Sequence, residues 1–304
     1  MRELTIEMND GFLVHAVTWL PEGNPKGHIH LLHGMAEHIA RYAEFAQYLA
    51  GKGYIVTGHD HRGHGKTAEL NGIKGHLADE DGFDRIVQDA YEVITHLRKK
   101  QPSPRFLLFG HSMGSFVARR YIQLYGSEVD VALLSGTGAD PGVMGSVGQA
   151  AAYFNGKRNG FDQPDSSLNK LVFGRFNKSV DRPKTPFDWL SRNPKAVEEY
   201  LVDPSCGIIP TTKLFSDLFE GLGKIHAPDE IRKIPKQLPI LLFSGNEDPV
   251  GANGKGVWRV AKQYENAGIE QVTVLLFDGG RHEMLHEINR LSVFETVYDW
   301  IEKT

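Results

Sequence analysis

The sequence predicts an α/β fold: a mostly parallel central sheet flanked by helices, with a mainly helical cap inserted between two of its strands. Three observations carry this. Short apolar segments without polar alternation recur along the chain, and segments of helical spacing separate them. Between residues 140 and 227 that rhythm breaks, and it resumes at 238. Strands that are apolar on both sides belong to parallel sheets covered by helices on both faces.

Taken in order, FLVHAVTWL (12–20) has strand character and stops at Pro21, and GHIHLLHG (27–34) is a strand ended by glycine. Residues 40–50 set Tyr42, Phe45, Ala46 and Leu49 at helical spacing, with Gly51 and Gly53 closing the segment. YIVTGHD (54–60) is a strand, and Phe83–Arg98 forms a helix with Phe83, Ile86, Val87, Ala90, Ile94 and Leu97 on one face. RFLLFG is the next strand, 115–126 the next helix, and VDVALLSG (129–136) a further strand. From 140 to 227 the chain is rich in Gly, Asn, Pro and Ser, with short helical pieces and no strand pattern. LPILLFSGNED (238–248), a helix over Val257–Ala267, the strand QVTVLLFDGG (271–280) and a helix over Asn289–Lys303 complete the pattern. The expected organisation is one core domain (1–139 and 228–304) with 140–227 as its cap.

Composition narrows the function. The 304 residues are 40% hydrophobic and 24% charged, with a formal net charge of −4, and no basic block suggests nucleic acid as a partner. Cys206 is the only cysteine, so an intramolecular disulfide is impossible. No apolar run approaches the ~20 residues of a membrane-spanning helix, and MRELTIEMND lacks the apolar stretch of a secretory signal. A cytoplasmic enzyme or binding protein is the expectation.

Gly110-His111-Ser112-Met113-Gly114 fits G-x-S-x-G between a strand and a helix. That pattern lifts a serine hydroxyl above a sheet on a sharp turn and leaves the Met113 N–H at a helix N-terminus, where an anion would form. A serine nucleophile needs a base. Of fourteen histidines, His282 in DGGRHEM follows the last strand, at the carboxyl edge where active groups gather. The orienting acid is assigned to Asp248 in SGNEDPVG, with Glu247 and Asp278 as rivals. A second oxyanion donor is expected from the Met35 N–H after Gly34. HDHRGH (59–64) approaches a two-metal motif, but Gly63 stands where an aspartate is needed. A structural role at the sheet edge is expected there, with His and Asp tying down a glycine turn.

With these residues placed, the chain resembles the α/β-hydrolase superfamily, and within it the monoacylglycerol lipase and lysophospholipase-like group. The resemblance is carried by LLHGMAEHIARYAEFAQYLAGKGYIVTGHDHRGHGKT (31–67), GHSMGS (110–115), SGNEDPVG (244–251) and DGGRHEM (278–284). It implies a Ser112 nucleophile, a His282 base, an Asp248 acid, an oxyanion hole from Met35 and Met113, and no metal or organic cofactor. Ser115 and Thr67 depart from the glycine and serine that relatives often carry. The insertion, as in TPFDWLSRNPKAVEEYLVDPSCG (185–207), resembles the lids of bacterial members.

The insertion should set the substrate. Leu214, Phe215, Leu218, Phe219 and Leu222 form one helical stripe, and Val143, Met144, Val147, Ala150, Ala151 and Phe154 another. Each either packs the cap onto the sheet or lines an acyl pocket; Leu214, Phe215, Leu218 and Phe219 are the candidate substrate contacts. No strongly basic amphipathic face is present, so contact with a membrane surface would be at most transient. The expected partner is a small ester or lipid. A peptidase or amidase of the same fold, or a non-catalytic receptor for an apolar ligand, are the alternatives.

Overall fold

A computed structural model describes residues 1–304. Its eight strands are β1 (Arg2–Glu7), β2 (Leu13–Trp19), β3 (Gly27–Leu32), β4 (Tyr54–His59), β5 (Phe106–His111), β6 (Val131–Ser135), β7 (Ile240–Gly245) and β8 (Val272–Phe277). They form one sheet in the order β1-β2-β4-β3-β5-β6-β7-β8. The six from β3 to β8 run parallel, while β1 and β2 are antiparallel to their neighbours. β1 was not foreseen. RELTIE has a charge at both ends and exposes most of its residues, as an edge strand does.

The helices are α1 (Ala43–Gly51), α2 (Gly65–Asn71), α3 (Gly82–Lys100), α4 (Met113–Tyr125), α5 (Val143–Asn159), α6 (Ser166–Phe173), α7 (Pro194–Val202), α8 (Thr212–His226), α9 (Pro228–Arg232), α10 (Lys255–Asn266) and α11 (Arg290–Lys303). Alternate residues of one strand serve opposite faces of the sheet. In β5, Leu107 and Phe109 join Phe45, Leu49, Val293 and Phe294 of α1 and α11. Phe106 and Leu108 instead join Ile86, Val117 and Ile122 of α3 and α4. This two-sided burial is why β5, β6 and β7 read as nearly unbroken apolar runs, and each large apolar side chain fully buried there stabilises the fold by roughly 1.5–3 kcal/mol.

Helices α5 to α9 fill the interval between β6 and β7, α5 to α8 of them within residues 140–227. Two of them are long, at 17 and 15 residues, rather than the short pieces expected. Asp165 caps α6 by accepting from the Ser167 and Leu168 N–H groups, Asn193 caps α7, and Thr211 caps α8. α8 is not detached from the core: Leu214, Leu218, Leu222 and Ile225 belong to the same apolar cluster as Phe83 and Val117.

α5 corrects a sequence expectation. Val143, Met144, Val147 and Phe154 are exposed, and the buried ridge is Gly148, Ala152 and Gly156. A Cβ on Gly148 would sit 2.5 Å from the Phe219 ring, so the small ridge lets α8 approach closely and the large residues face out. Apolar spacing identified the helix but not its buried ridge; of the expected stripe, Ala151 packs inward and Met144 borders the cavity described below.

Candidate active site

β3 leads to β4 on one side and its other neighbour is β5, so the sheet order reverses between β3 and β5. A crevice opens at such a reversal, at the carboxyl ends of the strands. The loop after β3 carries Gly34 and Met35, and the turn after β5 carries Ser112.

Ser112 has φ +52° and ψ −120°, a conformation a non-glycine residue seldom adopts, costing roughly 1–3 kcal/mol. The strain is held by its surroundings. A Cβ on Gly110 would lie 2.2 Å from the Gly114 carbonyl oxygen, and one on Gly114 would lie 2.1 Å from that of Leu32. Only glycine allows α4 to come this close to β3 and β5. The Ser112 N–H donates to the Ser135 carbonyl at 2.9 Å, and the Ser115 hydroxyl donates to the Ser112 carbonyl at 2.6 Å. Ser115 thus uses its departure from glycine to pin the turn.

His282 is buried, and its Nδ1 lies 3.0 Å from Asp248 Oδ1. Asp248 is fully buried; its Oδ2 accepts from the Ser244 hydroxyl at 2.6 Å and its Oδ1 from the Val250 N–H at 2.9 Å. The rivals are elsewhere: Glu247 and Asp278 are exposed, and Asp278 accepts from Asn246. Burial alone would depress the His282 pKa, but the Asp248 carboxylate outweighs it and the net direction is up. Burial likewise pushes Asp248 up, and His282 and the two donors bring it below the usual carboxylate value.

The Met35 N–H has no acceptor within the protein. Met113 is the first residue of α4, where N–H groups lack an intrahelical partner. The loop carrying Met35 is fixed from both ends. The Gly34 N–H donates to Glu37 Oε1 at 2.5 Å, and His33 Nδ1 donates to the Gly34 carbonyl at 2.7 Å. His33 Nε2 accepts the His61 N–H at 2.9 Å, so its proton is on Nδ1. Asp60 accepts from the Ile39 and Lys66 N–H groups, and its carbonyl takes the Thr67 hydroxyl. HDHRGH therefore acts as scaffold for the loop beside Ser112.

Sequence reasoning missed a buried ion-pair chain. Arg41 Nη1 lies 2.6 Å from both Glu37 Oε2 and Glu283 Oε1, and its Nη2 is 2.8 Å from Glu283 Oε2. Burial raises the Glu283 carboxyl, but Arg41 dominates and holds it below its ordinary value. The chain joins the Met35 loop to the residue next to His282. Glu37 and Arg41 at i, i+4, with a carboxylate directly after the candidate base, were its only sequence traces.

Ser112 and His282 open onto one cavity of about 340 Å³, together with Gly34, Met35 and Met113. Nineteen of its thirty lining residues are hydrophobic, which suits an apolar ligand. The insertion contributes Met144, Phe173, Trp189, Leu218, Phe219 and Leu222. Leu214 and Phe215 do not line it, contrary to expectation. Leu214 packs into the main core, and Phe215 packs with Ala152 and Leu168, because the first turn of α8 is wedged among α3, α5 and α6. Trp189 lies 5.1 Å from the His282 ring, centroid to centroid, and the Trp189 and Leu190 carbonyls accept from the His282 and Glu283 N–H groups.

The serine aminopeptidase S33 family profile matches residues 23–289. A monoacylglycerol lipase of Mycolicibacterium smegmatis is 28% identical over 286 residues, covering 93% of this chain and 90% of its own. The human monoglyceride lipase is 27% identical over 299 residues, covering 97% and 88%. Among solved structures, a thermostable carboxyl esterase from Bacillus coagulans superposes with a TM-score of 0.92 at 27% identity, covering 99% and 98%. The chain belongs to the serine aminopeptidase S33 family of α/β-hydrolases and is a carboxylic ester hydrolase of its monoacylglycerol lipase and lysophospholipase-like group.

Proposed function

We propose that the protein hydrolyses monoacylglycerol-type esters through an acyl-enzyme on Ser112. His282 is the base, Asp248 its orienting acid, and the Met35 and Met113 N–H groups the oxyanion donors. The observation that carries this reading is the shared apolar cavity of Ser112 and His282, with Asp248 buried behind the imidazole.

Asp248 on Nδ1 leaves Nε2 of His282 to take the serine proton as Oγ attacks the ester carbonyl. The oxyanion is stabilised by the two backbone donors, whose geometry precedes the charge and needs no reorganisation. His282 then protonates the departing glycerol, and water repeats the sequence on the acyl-enzyme. The acyl chain lies among Phe173, Leu218, Phe219 and Leu222. Residues 140–227 serve as a cap over the core formed by 1–139 and 228–304.

An ester is favoured over a peptide N-terminus by the charges. Binding an α-amine needs free carboxylates, yet the acids in and beside the cap are each paired with a basic side chain. Asp203 pairs with His38, Asp217 with Lys213, Glu220 with Lys224 and Asp229 with Arg232. The cavity's carboxylates, Glu37 and Glu283, are both engaged by Arg41. A purely receptor role would leave the Asp248–His282 pair without a purpose. No helix is long and apolar enough to cross a membrane; we place the protein in the cytoplasm, where its single thiol stays reduced, meeting lipid aggregates transiently through α5.

Ser112→Ala should lower ester turnover by about six orders of magnitude, and a fluorophosphonate probe should label the parent chain but not the variant. Substantial hydrolysis by purified Ser112→Ala, or labelling of both proteins, would overturn the assignment.

A further inference from the structure

His38, Asp203 and Cys206 come together at the back of the Met35 loop, outside the residues assigned to ester chemistry. One ligand-type atom from each lies within 4.8 Å of the other two. His38 closes the loop that begins at Gly34, whereas Asp203 and Cys206 follow α7 in the cap. The three therefore meet across the junction between core and cap. From these observations we propose that they form a regulatory Zn²⁺ site that clamps the cap to the Met35 loop.

The donor set is one thiol, one imidazole and one carboxylate, a combination that suits Zn²⁺ over Mg²⁺ or Ca²⁺, which prefer oxygen alone. Zinc bonds of about 2.0 Å to N and O and about 2.3 Å to S, in a tetrahedron, put ligand atoms roughly 3.3–3.5 Å apart. His38 Nε2 and Asp203 Oδ2 now share a hydrogen bond of 2.8 Å, so an ion entering between them parts them by about half an ångström. The ion takes His38 Nε2, so the imidazole proton moves to Nδ1, and it binds Cys206 as thiolate, whose proton leaves to solvent. Three protein ligands leave a fourth position for water.

The turn holds these donors ready. The Cys206 N–H donates to the Asp203 carbonyl at 3.0 Å, folding the thiol back beside the carboxylate. The Ser205 N–H takes Asp203 Oδ1 at 2.8 Å, which leaves Oδ2 directed at His38. Cys206 is buried and makes no hydrogen bond through sulfur, while His38 and Asp203 keep 16% and 32% of their side chains exposed, so an ion reaches the thiol from solvent. Core and cap are already in register at this point. The Gly207 N–H and the Tyr200 hydroxyl both donate to the Ala36 carbonyl at 2.9 Å. Arg41 is the nearby cation, and two carboxylates, Glu37 and Glu283, more than offset it. The neighbourhood is net negative once Asp203 is counted.

The site does no chemistry on the ester. It ties His38, at the end of the loop that carries the proposed Met35 oxyanion donor, to the cap that covers the cavity. Bound zinc therefore restrains opening of the cap.

Co²⁺ titration of the full chain, freed of metal by chelation, tests this independently of activity. One equivalent should give a thiolate-to-Co²⁺ charge-transfer absorption with the intense visible bands of a tetrahedral ion, and Zn²⁺ should displace it. Cys206→Ser should abolish the charge-transfer band. His38→Gln and Asp203→Asn, which keep the thiol, should each weaken binding by at least about tenfold, while His76→Gln, at a histidine outside the cluster, should not. Zn²⁺ should also raise the thermal midpoint of the parent chain and leave that of His38→Gln unchanged. No charge-transfer band at a tenfold excess of Co²⁺ would overturn the proposal. So would a band of unchanged affinity in both His38→Gln and Asp203→Asn, which would mean a lone reactive thiol.

Discussion

In the core, β3 to β7 hide every side chain, and the histidines of β3 and β4 are buried with their neighbours. In the cap, α5 exposes Val143, Met144, Val147 and Phe154 and buries glycine and alanine instead. Of fourteen histidines, only His226 lies between 140 and 227. The core holds strained and titratable groups in fixed places, as a reaction centre requires. The cap offers apolar surface on both sides, which suits delivery and containment of a lipid. Rigidity and access thus fall to separate parts of one chain.

The sharpest way to break this comparison is inside the core. Asp248→Asn should lower kcat by about four orders of magnitude, because the imidazole loses its orienting charge. His282 must be neutral to act as a base, and its raised pKa means activity falls as pH drops through a value above 6.5. In Asp248→Asn that acid limb should move to lower pH. A kcat/KM profile that kept the same limb would detach Asp248 from the base.

Stability should respond next, and mainly through the core, since only His226 of the histidines lies between 140 and 227. Burial depresses the pKa of His28 and His111 to about 4 and that of His226 to about 3, and lowers those of His30, His33, His59, His61 and His64 as well. A folded-state value below the unfolded one means the unfolded chain binds more protons between the two. Stability is then fully present above about pH 6.5 and is lost as pH falls toward 4, at about 1.4 kcal/mol per unit for each group. His282 acts oppositely, but it is one group against many. Urea unfolding at pH 7.5, 6.5 and 5.5 should show a steep decline; a flat profile would mean these histidines are not buried neutral.

The cap should respond through substrate instead. Phe219→Ala should lower kcat/KM for long-chain monoesters roughly tenfold, and for butyryl esters hardly at all. An equal loss at every length would make Phe219 a packing residue. The smallest effect is expected on the outer face: Val143→Ser with Phe154→Ser should change stability by less than about 0.5 kcal/mol. It should also slow hydrolysis of aggregated oleoyl glycerol while sparing soluble esters.

The sequence was most readable where burial is two-sided or chemistry is local. β5 to β7 stood out as nearly unbroken apolar runs, β3 and β4 less so because they carry the buried His28, His30 and His59, and Ser112 stood out because G-x-S-x-G confines its geometry to five positions. β1 was missed because an edge strand keeps charges. Leu214 and Phe215 were misplaced because spacing gives a face, not what lies opposite it. Arg41 with Glu283, and His38 with Asp203, meet across 242 and 165 residues, so nothing in either local pattern announces them.

If a fixed serine centre serves an acyl pocket shaped by the cap, acyl chain length should govern turnover. Hydrolysis of glycerol monoesters from butyryl to oleoyl, with Ser112→Ala alongside, tests it most directly. At about 0.8 kcal/mol per buried methylene, two carbons should raise kcat/KM roughly fifteenfold until the pocket is full. A rise that continues past butyryl into longer chains is expected, with no turnover by the variant. A maximum at butyryl would contradict it and leave a small-ester esterase whose apolar cap is only packing.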